Sequence, residues 1–124
     1  MSARLKKLWN TVRDRALELP EAWEDHPWGE SAIKVKKKIF VMLGPEDASP
    51  LKLTFKLPAS RDEVLRRDDA EPTGYGLGRS GWVTLALSAK TAPSADDLID
   101  WLEESYQAVA PKKFGRLLDP DDDG

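Results

Sequence analysis

Apolar residues recur at helical spacing at the start of the chain. Leu5, Leu8, Trp9, Val12, Ala16 and Leu19 share one stripe, so residues 4–18 are predicted as an amphipathic helix that Pro20 ends. Glu21–Gly29 follows as an irregular or short extended lead-in. From Ala32 the period becomes two, with Ile33 and Val35 facing one way and Lys34 and Lys36 the other. A tight turn around Lys36-Lys37-Lys38 returns the chain as Ile39–Leu43, a more fully buried strand. Gly44–Pro50 carries loop signals throughout. Leu51–Leu57 then alternates cleanly, with Leu51, Leu53, Phe55 and Leu57 inward and Lys52, Thr54 and Lys56 outward. Ser60 and Glu63 are placed to cap a short helix over Arg61–Asp68. Asp69–Gly81 is turn-rich, and Trp82–Leu87 is a strand with Val83, Leu85 and Leu87 inward. Ser94 with Asp97 opens a last helix, buried along Leu98, Trp101, Leu102, Ser105, Tyr106 and Val109 and stopped by Pro111.

Strands joined by short loops and flanked by terminal helices predict an α+β two-layer sandwich. It has an antiparallel sheet of about five strands, with the N- and C-terminal helices packed on one face. The other face is then open to water and carries Lys34, Lys36, Lys52, Thr54, Lys56 and Trp82. Residues 1–115 read as a single domain, and 116–124 as an acidic, disordered tail.

Composition narrows the chemistry. The 124 residues contain no cysteine, which excludes disulfides, thiolate metal sites and thiol nucleophiles. The longest apolar runs, Ile39–Leu43 and Trp82–Leu87, are too short to span a bilayer, and no leader pattern follows Met1, so a cytoplasmic protein is expected. Net charge is −3, which taken alone disfavours a nucleic-acid binder. Its distribution differs: residues 31–90 are net basic, and 91–124 are strongly acidic.

These landmarks resemble the MmcQ/YjbR family. Leu19-Pro20 and Glu24 leading to Pro27-Trp28-Gly29 are similar to its Pro-aromatic-Gly element. Ile33-Lys34-Val35 with Lys38-Ile39-Phe40 resembles its first hairpin, and Leu53 and Lys56 its lysine-bearing strand. Pro72-Thr73-Gly74-Tyr75 with Trp82–Leu85 resembles its late strand, and Leu98-Ile99 with Ser105-Tyr106 its closing helix. The resemblance implies a compact fold similar to CyaY or to secretion chaperones, and DNA binding. Gly78–Gly81 departs from the pattern, since relatives more often carry lysine or histidine there; the acidic tail is also outside it.

Phosphate contacts need accessible positive charge, so the nucleic-acid-binding candidates are Lys34, Lys36, Lys37, Lys38, Lys52, Lys56 and Arg79, with Arg61, Arg66 and Arg67 as extensions. Lysines on a solvated face also serve solubility alone. Trp82 is a candidate for base stacking. Gly76-Leu-Gly78-Arg-Ser-Gly81 matches G-x-G-x-x-G, but a strand follows it where a dinucleotide site needs a helix, so it reads as a turn. His26, the single histidine, has no nominated partner for metal or acid–base work, and Asp121–Asp123 lacks calcium-loop spacing. The acidic tail could compete with phosphates for the lysines. The expectation is a non-catalytic module that needs no cofactor or metal. It binds DNA, duplex or single-stranded, largely without sequence reading, stays off membranes, and is a monomer or weak homodimer. The alternative is a protein-interaction or chaperone-like module using an apolar surface or dimer interface.

Overall fold

Residues 3–26, 30–74 and 76–112 are described by the structure, a computed structural model. The chain runs α1 (Ala3–Glu18), β1 (Ala22–Asp25), β2 (Ser31–Val35), β3 (Lys38–Leu43), β4 (Leu51–Lys56), α2 (Arg61–Val64), β5 (Ala70–Pro72), β6 (Trp82–Leu87) and α3 (Ala95–Val109). The strands form one antiparallel sheet in the order β1-β2-β3-β4-β6-β5. It is an α+β fold with an N-terminal and a C-terminal helix, as the pattern predicts.

Directly opposed residues share a face, so register sorts the side chains. Ile33, Val41, Phe55 and Val83 line one row, and Leu43, Leu53 and Leu85 the next. All are fully buried, in one core with Leu5, Leu8, Val12 and Ala16 of α1 and Leu98, Leu102 and Tyr106 of α3. The opposite face carries Ala32, Met42, Thr54 and Thr84 in one row, Lys56 with Trp82, and Lys52 with Ala86.

β3 buries two consecutive residues for a specific reason. Its pairing with β2 shifts between Ile33 and Lys34, and the extra residue lets both Phe40 and Val41 turn inward. Phe40 meets Tyr106 edge-to-face, with ring centroids 5.1 Å apart. Ser105 holds the irregularity together: its hydroxyl donates to the Phe40 carbonyl and accepts from the Lys56 amide at 2.8 Å. The Tyr106 hydroxyl donates to the Pro20 carbonyl at 2.6 Å. The Ser105-Tyr106 pair is therefore a structural clamp joining α3 to β3, β4 and the α1–β1 turn.

One helix differs from expectation. The short helix ends at Val64 instead of Asp68, and Ser60 makes no capping box with Glu63. Glu104 of α3 takes both the Ser60 hydroxyl, at 2.6 Å, and the Ala59 and Ser60 amides. The Gly76–Gly81 stretch is a turn, as the sequence indicates: Gly81 sits at φ +93, and a Cβ on Gly78 would lie 2.7 Å from Pro72 Cβ.

Candidate nucleic-acid interface

Strand direction decides where each cation falls. β2 ends and β3 begins at the Lys36–Lys37 turn, and the Ser105 bridge puts the start of β3 beside the end of β4. Lys56, opposite Trp82, lies at that same end. Beyond it, Arg61 donates to the Gly78 carbonyl at 3.3 Å, and Arg61 and Arg79 flank a surface hollow with Pro58 and Gly81. Lys112, just past α3, meets the Lys36–Lys38 turn across a cleft. The cations thus gather along one end of the sheet more than across its open face.

The pairing of these groups divides them sharply. Lys34 is on the open face, but its ammonium lies 2.8 Å from Asp25 and 5.0 Å from the Trp23 ring centroid. That ammonium holds the Asp25 carboxyl below its ordinary range, helped by the His26 amide. Lys34 is consequently a neutralised cation. Arg61 and Arg67 are likewise paired, with Asp62 at 3.2 Å and Asp69 at 2.9 Å. Lys37, Lys38, Lys52, Lys56, Arg66, Arg79 and Lys112 make no ion pair among the described residues. Lys36 adopts φ +55, and its carbonyl accepts from Trp23 Nε1 at 2.6 Å, which pins the turn to β1.

The remaining candidates find these places. Trp82 is half-buried on the open face, beside a chain of hydroxyls in which Thr84 contacts Thr54 at 3.1 Å and Thr73 at 2.9 Å. Lys52 is exposed at the far end of β4. Arg66 is exposed beside the Arg67–Asp69 pair. His26 is exposed, 3.6 Å from Glu24, and no cluster of metal-ligating side chains occurs among the described residues. Pro27, Trp28, Gly29, Tyr75 and the 116–124 tail lie outside the described residues.

Sequence reasoning missed one polar centre. Glu24, with its side chain 11% exposed, accepts a two-pronged contact from Arg13 at 2.7 and 2.9 Å and a third bond from Ser31 at 2.7 Å. The guanidinium, and secondarily the Ser31 hydroxyl, hold the Glu24 carboxyl below its usual range against the opposing effect of burial. Arg13 is raised in turn by Glu24. Two of these residues lie in different elements and Ser31 in a third, so no local spacing announces them. The centre ties α1 to β1 and β2.

Among the described residues no helix is long and apolar enough to cross a membrane. The model of the YjbR family matches residues 17–108. No curated protein matches the chain.

Proposed function

Since the chain belongs to the YjbR family, we propose that it is a non-catalytic cytoplasmic protein that binds nucleic acid through the basic end of its sheet and the adjoining open face. The observation that carries this reading is the grouping of cations without ion partners among the described residues. Lys37, Lys38, Lys56, Arg79 and Lys112 lie toward one end, while Lys34, Arg61 and Arg67 have carboxylates of their own. Unpaired cations release counterions from a phosphate backbone without first breaking a salt bridge.

Lys36 adds a second argument. A lysine at φ +55 costs roughly 1 kcal/mol more than glycine there, so the turn keeps charge where backbone comfort favours none. Trp82, directly opposite Lys56, offers a ring face for a single-stranded base, a contact worth roughly 1–3 kcal/mol. Contact to phosphates and stacking both tolerate any sequence, so little base discrimination is expected.

The rival reading needs a contiguous apolar surface. The large apolar side chains exposed among the described residues are Trp23 (44%) and Leu77 (41%). They sit at opposite edges of the sheet, on β1 and beside β5, and form no common patch. The geometry therefore favours nucleic acid.

The test is a salt titration of binding to a mixed-sequence duplex and to a single strand of equal length, with Lys56→Glu as the variant. Binding in the micromolar range at low salt is expected, falling steeply as salt rises, with K56E weaker and its salt slope flatter. Absence of binding at tens of micromolar protein and low ionic strength overturns the reading, because the electrostatic term is largest there.

A further inference from the structure

A hollow of about 520 Å³ sits where the turn before β6 meets the corner between β4 and α2. Pro58, Arg61, Arg79, Ser80 and Gly81 line it, and no carboxylate is among them. Its two guanidinium groups come from different elements: Arg61 from the first position of α2, Arg79 from the single 3₁₀ turn Leu77–Ser80. Backbone contacts bring these elements together. The Leu57 amide donates to the Gly81 carbonyl at 2.8 Å, and Gly81, at φ +93, swings the chain from Ser80 into Trp82. Arg61 Nε donates to the Gly78 carbonyl at 3.3 Å, which ties its guanidinium to the turn that carries Arg79. The Arg61 contact with Asp62 joins neighbouring residues, and the Asp62 side chain is 89% exposed, so water screens the pair and an incoming anion exchanges for it readily. Glu104, beside Pro58, is occupied by the Ala59 and Ser60 amides and the Ser60 hydroxyl. Arg79 has no ion partner among the described residues. Two cations on one hollow without a lining carboxylate set up a positive potential that an anion relieves.

We propose that this hollow receives the terminal phosphate of a nucleic-acid strand, a phosphomonoester. The inference rests on the nucleic-acid reading and deepens it, because the lysines of the basic end meet any phosphate alike. A monoester carries a charge of about −1.5 to −2 at neutral pH and three acceptor oxygens, whereas an internal diester has a single charge and two free oxygens. Two guanidinium forks and the Ser80 hydroxyl supply donors from two sides of the hollow, a set that three terminal oxygens satisfy together. The space exceeds that of a phosphate and admits the attached sugar. Trp82, the ring offered for base stacking, follows Gly81 directly, so the terminal phosphate and its base meet adjoining residues. Lys56, opposite Trp82, then meets the next phosphate.

The test is a competition measurement on the full chain, in which unlabelled single strands displace a fluorescent one at 0.15 M salt. The competitors are an eight-nucleotide strand phosphorylated at its 5′ end, the same strand phosphorylated at its 3′ end, and a nine-nucleotide strand with both ends hydroxyl. All three carry the same number of phosphates. One of the phosphorylated strands is expected to compete about tenfold better than the hydroxyl strand. Arg79→Gln and Arg61→Gln each cut that advantage below threefold, whereas Lys56→Glu weakens all strands alike and preserves it. The advantage also falls below threefold at pH 5.5, since the monoester loses its second charge below a pKa of about 6, and the hydroxyl strand cancels any titration of the protein itself. Equal competition by all three strands overturns the inference and leaves the proposed function standing. An advantage that survives both arginine substitutions puts the terminal phosphate elsewhere and overturns it too. A nucleoside monophosphate that competes as well as the phosphorylated strand assigns the hollow to a free nucleotide, and equally overturns the strand end. If no strand binds even at low salt, the proposed function itself fails, and the strand-end site with it.

Discussion

Ser105 satisfies two backbone groups with one hydroxyl, the Phe40 carbonyl at the β3 irregularity and the Lys56 amide at the end of β4. Ser105→Ala leaves both buried groups without their partner, each costing about 1–3 kcal/mol. The expected loss of unfolding free energy is about 2–4 kcal/mol, checked by urea denaturation. Glu24 gives a pH-dependent counterpart. Its carboxyl is held below the ordinary value of 4.5 chiefly by Arg13. A carboxyl depressed on folding contributes stability above its unfolded value, and that contribution disappears as pH falls through the folded one. Glu24→Gln is therefore expected to cost about 2 kcal/mol at pH 7, as a charge-assisted contact does. The gap between E24Q and the unaltered protein closes as pH drops below 4.5, readable from denaturation midpoints across pH 3–7. An unchanged gap at pH 3 refutes this role for Glu24.

The elements with strong periodicity were legible from the sequence, and those made by partners were not. β4 alternates in sequence, although its Thr54, expected to face water, is buried. α3 buries Leu98, Leu102, Ser105 and Tyr106, with Trp101 and Val109 half-buried and Ser94 accepting from the Asp97 amide at 3.1 Å, so both elements follow from spacing. β1 and β5 are short edge strands, half-exposed or exposed, defined by backbone pairing with β2 and β6 and not by any alternation of their own. Leaving β1 as an irregular or short extended lead-in also misplaced the electrostatics. Asp25 and Trp23, the two groups that occupy Lys34, both lie on it. Glu104 similarly displaced the local Ser60–Glu63 cap from 41 residues beyond Glu63, a distance no motif spans. At this scale the β2–β3 turn yields a further prediction. Lys36→Gly removes the Cβ penalty at φ +55 and is expected to stabilise the fold by about 1 kcal/mol in denaturation, while weakening nucleic-acid binding through the lost charge.

For the whole molecule, the arrangement of charge matters more than its sum. The net charge of −3 says nothing of where cations without ion partners gather among the described residues. Asp96 and Asp97 open α3 at one end, where Glu46 and Asp47 form the β3–β4 loop, and Lys112 follows α3 at the other with Lys37, Lys38, Lys56 and Arg79. Acids at the start of α3 and the cation past its end also complement the helix dipole. With a Debye length of about 8 Å at physiological salt, a bound phosphate senses this end and is screened from the far one. Two double variants of equal formal charge separate sum from arrangement. Lys37→Glu with Lys38→Glu reverses the basic end, whereas Lys6→Glu with Lys7→Glu reverses exposed positions at the start of α1, the end where Arg4 contacts the Ala89 and Ala92 carbonyls. Fluorescence anisotropy with a labelled single strand at 0.15 M salt is expected to show at least a tenfold loss for K37E/K38E and less than threefold for K6E/K7E. Equal losses would mean that overall charge alone governs binding, and that the end of the sheet has no special part in it.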